Sequence, residues 1–392
     1  MNRPTLEVAD IIREHGKDFI HRNRSWLRWL HIKVLLAIQR CRTAALGGHV
    51  EECAHCEERV TSYNSCRNRH CPKCQASARD RWLAERSKEL LPVPYVHVVF
   101  TLPHELAPLA YQNKRIVYDL LFKTSAATLL ELAGDPKHLG AEIGFLSVLH
   151  TWGQTLQHHP HVHCVIPAGG PSADHTHWVH AGAKFFLPVK ALRKVFRGKF
   201  HQALKRAFNE GQIRFYGDHE YLNEPQRFRS FLRPLFRKHW IVYCKPPFGG
   251  PQYVLQYLAR YTHRVAISNH RLVRLDNGQV TFRWKDYAQA NKQKLMALDV
   301  DEFLRRFLLH TLPRRFVRIR FFGFLARRKR GQFLPLCRSL LQAAPPPMPS
   351  SATTQGQPQH RHCPRCGGPL KILEWLPVFP THSPTPFVYD TS

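Results

Sequence analysis

Apolar positions in the first 48 residues recur at intervals of three and four, which is the period of an amphipathic helix. The spacing holds from Ile11 to Ile20 and again from Trp26 to Ile38, with arginines and lysines interspersed. The pattern predicts two amphipathic helices whose basic faces are solvated.

Farther along the chain, short β-branched runs alternate with helical periodicity. Tyr95–Leu102, Ile143–Thr151 and His161–Ile166 each read as a strand, because β-branched residues pack well on a pleated surface. Asp276-Asn277-Gly278 predicts a tight hairpin turn, since Asn and Gly tolerate positive φ. Strands that return through hairpins and alternate with helices predict an α+β fold with an antiparallel sheet.

The composition changes after about residue 343, where the chain reads AAPPPMPSSATTQGQPQ. Such a segment is dominated by Pro, Ser, Thr and Gln and cannot pack a core, so it predicts a flexible or extended linker. A short tail follows the linker and carries Cys363 and Cys366. This pair is half a zinc ribbon that could recruit His360 or His362 or could be a remnant, and we expect it to have no independent function.

Basic residues outnumber acidic ones, 58 to 28, for a formal net charge of +30. A polyanion is the usual partner for such an excess, and nucleic acid is favoured because each cation placed on a phosphate releases counterions. A membrane surface is the weaker alternative, because the basic residues are spread along the chain and no run reaches the roughly 20 apolar residues of a spanning helix. The charged start of the chain is not typical of a secretory signal, so we expect an intracellular protein.

The chain has 11 cysteines, five of which lie from Cys53 to Cys74. In a reducing compartment, clustered cysteines are better interpreted as metal ligands than as disulfides. Two Cys-x2-Cys pairs predict a closed tetrahedral zinc site with four thiolates: Cys53, Cys56, Cys71 and Cys74. Cys66 and His70 are further candidate ligands that could replace one of the four, and Arg67, Arg69 and Lys73 beside them would suit phosphate contacts.

The run His159-Pro160-His161-Val162-His163 precedes an apolar strand. Alternate residues of a strand share a face, so His161 and His163 would point the same way and could hold a divalent ion. The chain contains 26 histidines, so a chance pair is the competing interpretation.

Three tyrosines spaced by four, Tyr253, Tyr257 and Tyr261, would lie along one face of a helix. An aromatic core stripe is one interpretation. The other is that one or two phenols are nucleophiles that form a covalent phosphotyrosine.

Together, four segments resemble the two-tyrosine HUH transposases of rolling-circle insertion sequences, the insertion-sequence-ninety-one family. They are YNSCRNRHCPKCQ, WGQTLQHHPHVHCVIPAGG, YLARYTHRVAISNHRL and DEFLRRFLLHTLPRRFVRIRFFGFLA, and the resemblance spans roughly residues 20–330 in this order. It implies an HUH-endonuclease-like antiparallel sheet flanked by helices. It also implies a helical and zinc-binding domain over residues 1–92, a nuclease domain with a basic C-terminal segment over 93–330, and the linker and tail over 331–392.

By this resemblance, His161 and His163 are ligands of a catalytic Mg²⁺ or Mn²⁺, and Tyr257 and Tyr261 are the two nucleophiles. The third ligand is not fixed by the motifs. Gln154 is preferred by analogy with a carboxylate of related replication initiators, and Gln256 and His159 are the alternatives.

The implied reaction cuts single-stranded DNA at the element ends and target, leaves a 5′ phosphotyrosine and a 3′ hydroxyl that host replication enzymes can extend, and rejoins the strands. The resemblance also implies a bacterial cytoplasmic protein associated with the nucleoid. Candidate DNA-binding cations flank the second tyrosine or lie in the C-terminal block: Arg260, Arg264, Arg314 and Arg315.

Basic segments at 193–206, 226–238 and 314–330 contain phenylalanines that suit a strand-binding groove. Two alternatives stay open. One is the same chemistry in a replication initiator or relaxase, and the other is a zinc-dependent DNA-binding protein without catalysis.

Overall fold

The computed structural model describes residues 4–182, 185–245, 253–254, 266–342 and 362–378. The helices in these ranges are α1 (Val8–Arg22), α2 (Trp29–Gln39), α3 (Gln75–Ser87), α4 (Ala107–Gln112), α5 (Lys114–Gly134), α6 (Val189–Asn209), α7 (Pro225–Arg237), α8 (Val300–Leu309) and α9 (Arg327–Leu340). The strands are β1 (Gly48–Cys53), β2 (Arg59–Tyr63), β3 (Tyr95–Thr101), β4 (Gly144–Trp152), β5 (His158–Pro167), β6 (Gly169–Pro171), β7 (Trp178–His180), β8 (Val242–Cys244), β9 (Leu272–Asp276), β10 (Gln279–Asp286), β11 (Lys292–Asp299), β12 (Ile319–Gly323) and β13 (Leu370–Leu376).

A five-stranded sheet in the order β12-β4-β5-β3-β8 forms the centre of the molecule. Every neighbouring pair in it is antiparallel. Strands β3, β4 and β5 are almost wholly buried, which explains why they read as near-continuous apolar runs. The predicted α+β fold with an antiparallel sheet is confirmed.

The two faces of this sheet belong to different cores. On one face, Phe100, Phe145 and Val162 pack in a large cluster with apolar residues of α5, α6 and α7. On the other face, Val148 and Val165 pack in a second cluster. The alternation follows from the period of two along a strand, and it leaves room on the second face for polar side chains at the strand ends.

Helix α9 contributes Phe333, Leu334 and Cys337 to that second cluster. Residues 331–340, which the sequence interpretation assigned to the linker and tail, are therefore helical. The helix is amphipathic, and burial of its apolar residues against the sheet outweighs the interruption by Pro335.

A third core joins the N-terminal helices to a meander of β9, β10 and β11. Phe19 of α1 and Val34 of α2 lie in one buried cluster with Phe282 of β10 and Phe303 of α8. The predicted turn is present between β9 and β10, where Asn277 and Gly278 have φ values of 48° and 70°. No helix in the described part of the chain is long and apolar enough to cross a bilayer.

Candidate metal centre

Strands β4 and β5 bring three histidines together on one face of the central sheet. In the antiparallel register, His150 lies opposite His161, and Val148 lies opposite His163. Residues directly opposite each other project to the same face. One ligand nitrogen from each of His150, His161 and His163 lies within 4.8 Å of the others. The predicted pair is thus completed by a histidine from the neighbouring strand.

Hydrogen bonds to the other ring nitrogens orient two of these imidazoles. Nδ1 of His161 lies 2.7 Å from the carbonyl oxygen of His159, so its N–H donates there and leaves Nε2 for a ligand. Nδ1 of His163 lies 2.9 Å from Nε2 of His97, and the two rings are stacked. Partners of this kind fix the tautomer and direction of metal-binding histidines.

Burial favours the neutral forms of His161 and His97. It lowers the pKa of His161 to about 4 and the pKa of His97 to about 3. At a pH above these pKa values, one nitrogen of each ring carries no proton. A lone pair is therefore available for coordination at neutral pH.

The side chain of Gln154, the preferred third ligand, is hydrogen-bonded to residues outside the histidine cluster, and the third histidine of that cluster is His150. Its Nε2 donates to the hydroxyl of Tyr287 at 2.8 Å, and its Oε1 accepts from the backbone N–H of Lys285 at 3.3 Å. These bonds hold the loop after β4 against the β9–β11 meander. His159 is not in the histidine cluster, and Gln256 lies outside the described residues.

Tyr257 and Tyr261 also lie outside the described residues, as do Arg260 and Arg264. Tyr253 and Val254, which precede them, are among the described residues. Val254 is fully buried in the cluster that contains Val148 and Val165, which are two residues from His150 and His163 respectively. Tyr253 beside it is 57% exposed.

The cysteines form two clusters rather than the single predicted site, so the grouping of Cys53, Cys56, Cys71 and Cys74 is wrong. The first cluster comprises Cys41, Cys66, Cys71 and Cys74. The second comprises Cys53, Cys56, Cys363 and Cys366. The four ligand atoms in each cluster lie within 4.8 Å of one another.

The β1–β2 hairpin is the physical reason for this division. Gly48 pairs with Tyr63 at its open end, and Cys53 lies at the end of β1 near the turn. Five strand steps of about 3.4 Å separate the two ends by roughly 17 Å. Arg42 donates to the carbonyl oxygen of Asn64 at 3.0 Å, which brings the end of α2, with Cys41, beside the loop that contains Cys66.

Of the two further candidate zinc ligands, Cys66 belongs to the first cluster and His70 does not. Nε2 of His70 accepts from the backbone N–H of Leu312 at 3.4 Å. Cys41 was missed because it has no second cysteine at knuckle spacing. Its position next to Cys66 depends on a contact that only the fold makes.

Two of the predicted DNA-binding cations, Lys73 and Arg69, have partners within the protein, and their contact with DNA stays a prediction. Nζ of Lys73 lies 2.6 Å from a carboxylate oxygen of Glu7, with both side chains nearly buried. A buried carboxylate requires such a partner. Arg69 donates to the carbonyl oxygen of Phe316 at 2.6 Å. In contrast, Arg67, Arg314 and Arg315 are exposed.

A basic groove lies between α6 and α7. It has a volume of about 360 Å³ and is lined by seven side chains, five of them basic or histidine: His201, Lys205, Arg229, Leu232, Arg233, Phe236 and Arg237. Phe236 is 41% exposed, whereas Phe196, Phe228 and Phe316 are core residues. Among these phenylalanines, Phe236 therefore offers a stacking surface.

Comparison with known proteins agrees with the presence of a cysteine-rich N-terminal region. Residues 11–102 match the family described as "Transposase zinc-binding domain", and residues 144–332 match the family described as "Putative transposase". The chain is therefore a transposase with a zinc-binding domain.

Two relatives narrow this class. The chain is 50% identical to "Putative transposase y4qJ" of Sinorhizobium fredii, and the match covers the full length of both proteins. It is 30% identical to "Transposase for insertion sequence element IS801" of Pseudomonas savastanoi pv. phaseolicola, over 82% of this chain and 77% of that protein. The chain belongs to the IS91 family of insertion-sequence transposases, as the sequence motifs indicated.

Proposed function

We propose that this transposase moves its element by a rolling-circle route, in which Tyr257 and Tyr261 cleave single-stranded DNA at a divalent-ion site formed by His150, His161 and His163. The observation that supports the proposal best is the convergence of three imidazoles, two buried and one partly buried, from two adjacent strands of the central sheet. A rigid sheet is a suitable support for such a site.

The donors fit a divalent ion of the first transition row. Three imidazoles fill part of a coordination shell and leave positions for a phosphate oxygen and water. A bound ion would polarise the scissile phosphate and stabilise the charge that develops on it. Because all three donors are nitrogens, the site favours Mn²⁺ over Mg²⁺, which prefers oxygen ligands.

The tyrosines perform the covalent step. The phenolic oxygen of one tyrosine forms a bond to phosphorus, the bond from phosphorus to the 3′ oxygen breaks, and the phenolic proton passes to solvent. The products are a 5′ phosphotyrosine and a 3′ hydroxyl that host replication enzymes can extend. Attack by a 3′ hydroxyl on the phosphotyrosine rejoins the strands without hydrolysis, and a second tyrosine allows two covalent ends to coexist.

The position of Val254 supports this role for the tyrosine segment. Val254 is buried with Val148 and Val165 on the sheet face that carries the histidines, and it precedes Tyr257 by three residues. The chain thus enters the segment from the face where a phenol would have to act.

The exposed cations supply the DNA-binding surface in this proposal. Arg229, Arg233 and Arg237 recur every four residues along α7 and line the groove that also contains Phe236. A basic groove with an exposed ring suits single-stranded DNA, whose bases stack on aromatic side chains. Arg67, Arg314 and Arg315 are candidates for further phosphate contacts.

The experiment incubates the full chain with labelled single-stranded oligonucleotides carrying the element's ends, with and without divalent ion. Wild type is compared with Tyr257→Phe, Tyr261→Phe and the double variant on denaturing gels. We expect a metal-dependent protein–DNA adduct in wild type that is absent from the double variant.

The outcome also distinguishes the second candidate function, zinc-dependent DNA binding without catalysis, which the net charge of +30 and the cysteine clusters would equally support. Tight binding with no adduct on any end sequence would favour that function. An adduct that persists in the double variant would assign the nucleophile to another residue.

A further inference from the structure

The second cysteine cluster joins parts of the chain that are far apart in sequence. Sγ of Cys53 lies 3.4 Å from Sγ of Cys366, although 313 positions separate them. Sγ of Cys56 lies 3.6 Å from Sγ of Cys363. These spacings are too long for the roughly 2.05 Å bond of a disulfide. Four thiolates around one ion require contacts of this kind.

Each cysteine pair lies in a loop with the hydrogen bonds of a zinc knuckle. The backbone N–H of His55 donates to Sγ of Cys53, and the N–H of Arg365 donates to Sγ of Cys363, both at 3.4 Å. Each loop turns through one residue with positive φ, Glu57 at 54° and Gly367 at 74°. The two loops are therefore built alike and face each other.

The second loop continues this pattern. The N–H of Gly368 donates to Sγ of Cys366 at 3.4 Å. Backbone N–H groups directed at sulfur stabilise thiolate over thiol. Thiolate is the form that binds metal.

The contact between the loops is close enough to specify their residues. A Cβ on Gly368 would lie 2.8 Å from Nδ1 of His55 and 3.1 Å from Sγ of Cys53. Only glycine fits there without displacing the neighbouring knuckle. Ala54 donates its N–H to the carbonyl oxygen of Pro369 at 3.1 Å, which aligns the two loops.

The strand that follows the second loop completes the interface. Strand β13 pairs antiparallel with β1, from Cys53 opposite Leu370 to Gly48 opposite Leu376. Sheet order is β13-β1-β2. The ring centroid of Trp375 lies 5.4 Å from that of His49, and Arg365 forms an ion pair with Glu58 at 3.4 Å.

We propose that Cys53, Cys56, Cys363 and Cys366 bind a second structural zinc ion, which clamps the C-terminal tail onto the N-terminal zinc-binding domain. The site is a zinc ribbon assembled from two halves at opposite ends of the chain. The matched family region of residues 11–102 contains one half of it.

The clamp has a mechanical consequence. The apolar core of this region is small: Cys53, Cys363 and Leu370 are its buried members, with Cys56 and Val60 packed against them. Such a core provides little hydrophobic stabilisation by itself. Ordering of β13 on β1 therefore depends on the ion, because metal binding and folding are coupled in small metal-bound modules.

The first test measures zinc in the purified full chain by elemental analysis. We expect the Cys363→Ser/Cys366→Ser variant to contain about one zinc ion per chain fewer than wild type, since each tetrathiolate holds one ion and both proteins keep the three-histidine cluster. Cys244→Ser is the matched control, because Cys244 lies outside both clusters, and it should retain both ions. About one ion in wild type, with none lost in the double variant, would overturn the proposal.

The second test needs no variant and so is independent of whether the double variant folds. Native wild-type protein is treated with an alkylating reagent, with and without a zinc chelator, and modified cysteines are identified by peptide mass spectrometry. Cys366 is exposed, so without a metal it should react at once. We expect its protection until chelation, followed by joint modification of Cys53, Cys56, Cys363 and Cys366. Rapid modification of Cys366 before chelation, or a mass showing disulfides, would contradict the clamp.

Discussion

The three-histidine cluster and the first cysteine cluster differ in number of donors and in what surrounds them. The histidines are held on adjacent strands of one sheet and supply three ligands. The cysteines come from the end of α2 and from the loop before α3, and they supply four. Cys41, Cys71 and Cys74 also belong to the core that includes α1, α2 and α8.

The difference separates chemistry from support. Four thiolates close a tetrahedral shell, so an ion there can only stabilise the fold, whereas three imidazoles leave positions open for a substrate. Removal of a single ligand is thus expected to have different consequences at the two clusters. At the cysteine cluster it should lower the stability of the fold, and at the histidine cluster it should reduce cleavage.

Loss of one thiolate from the first cluster should have the largest effect on folding. Cys66→Ser leaves an incomplete shell beside the N-terminal core, and we expect the free energy of unfolding to fall by at least about 4 kcal/mol. The fall would be measured as the shift of the urea midpoint, with zinc content determined in parallel. Cys244→Ser is the control, and an equal shift in both variants would remove the distinction between ligand and ordinary cysteine.

Loss of one imidazole should abolish cleavage while the fold remains. His150→Ala removes one of three ligands, and we expect adduct formation to fall roughly 100-fold or more, since the ion contributes several kcal/mol to the transition state. Gln154→Ala is the matched control, because its side chain bonds to Tyr287 and Lys285 instead. The reverse result, a larger loss in Gln154→Ala, would restore glutamine as the third ligand.

The buried side chain of His310 should make the stability of the fold sensitive to acid. Burial lowers the pKa of His310 to about 3, and its ring nitrogens bond to Thr151 and to the carbonyl oxygen of Leu156. The unfolded chain takes up a proton below about pH 6.5 and the folded chain does not, so stability is lost as pH falls. Between about pH 7 and 5, protonation of this group in the unfolded chain should lower the free energy of unfolding by about 2 kcal/mol.

The measurement is the unfolding free energy across that pH range in wild type and in His310→Gln. The variant should lose less stability on acidification, because it lacks the titrating ring. Parallel pH profiles would show that His310 is not the source of the sensitivity.

The identity of the divalent ion should have the smallest effect on adduct formation. With three nitrogen donors, Mn²⁺ should support adduct formation at about a tenfold lower concentration than Mg²⁺. Titration of each ion against initial rate measures this. A preference for Mg²⁺ would indicate an oxygen ligand in the shell.

Much of the fold could be predicted from local patterns. Strands β3, β4 and β5 are buried on both faces, so each appears as a continuous apolar run, and the Asn277-Gly278 turn is specified by residues that accept positive φ. His161 and His163 could be placed on one face because alternation along a strand is a local property.

The remaining parts depend on contacts between distant segments. His150 becomes a partner of His161 only through the register of β4 on β5, and the histidine alone carries no such signal in a chain with 26 of them. The cysteines were grouped by proximity in sequence, but the β1–β2 hairpin separates the two knuckles and brings Cys41 and Cys363 into different clusters. Likewise, the ion pair of Lys73 with Glu7 joins two residues that are distant in sequence, so no local pattern indicates it.

The most direct test of the proposed reaction is to locate the covalent bond itself. Wild-type protein is reacted with a single-stranded element end and Mn²⁺, digested, and analysed by mass spectrometry for the peptide that carries the nucleotide. We predict the nucleotide on Tyr257 or Tyr261, and none when His150→Ala replaces wild type. A nucleotide on the exposed neighbour Tyr253, or on a residue other than tyrosine, would contradict the account.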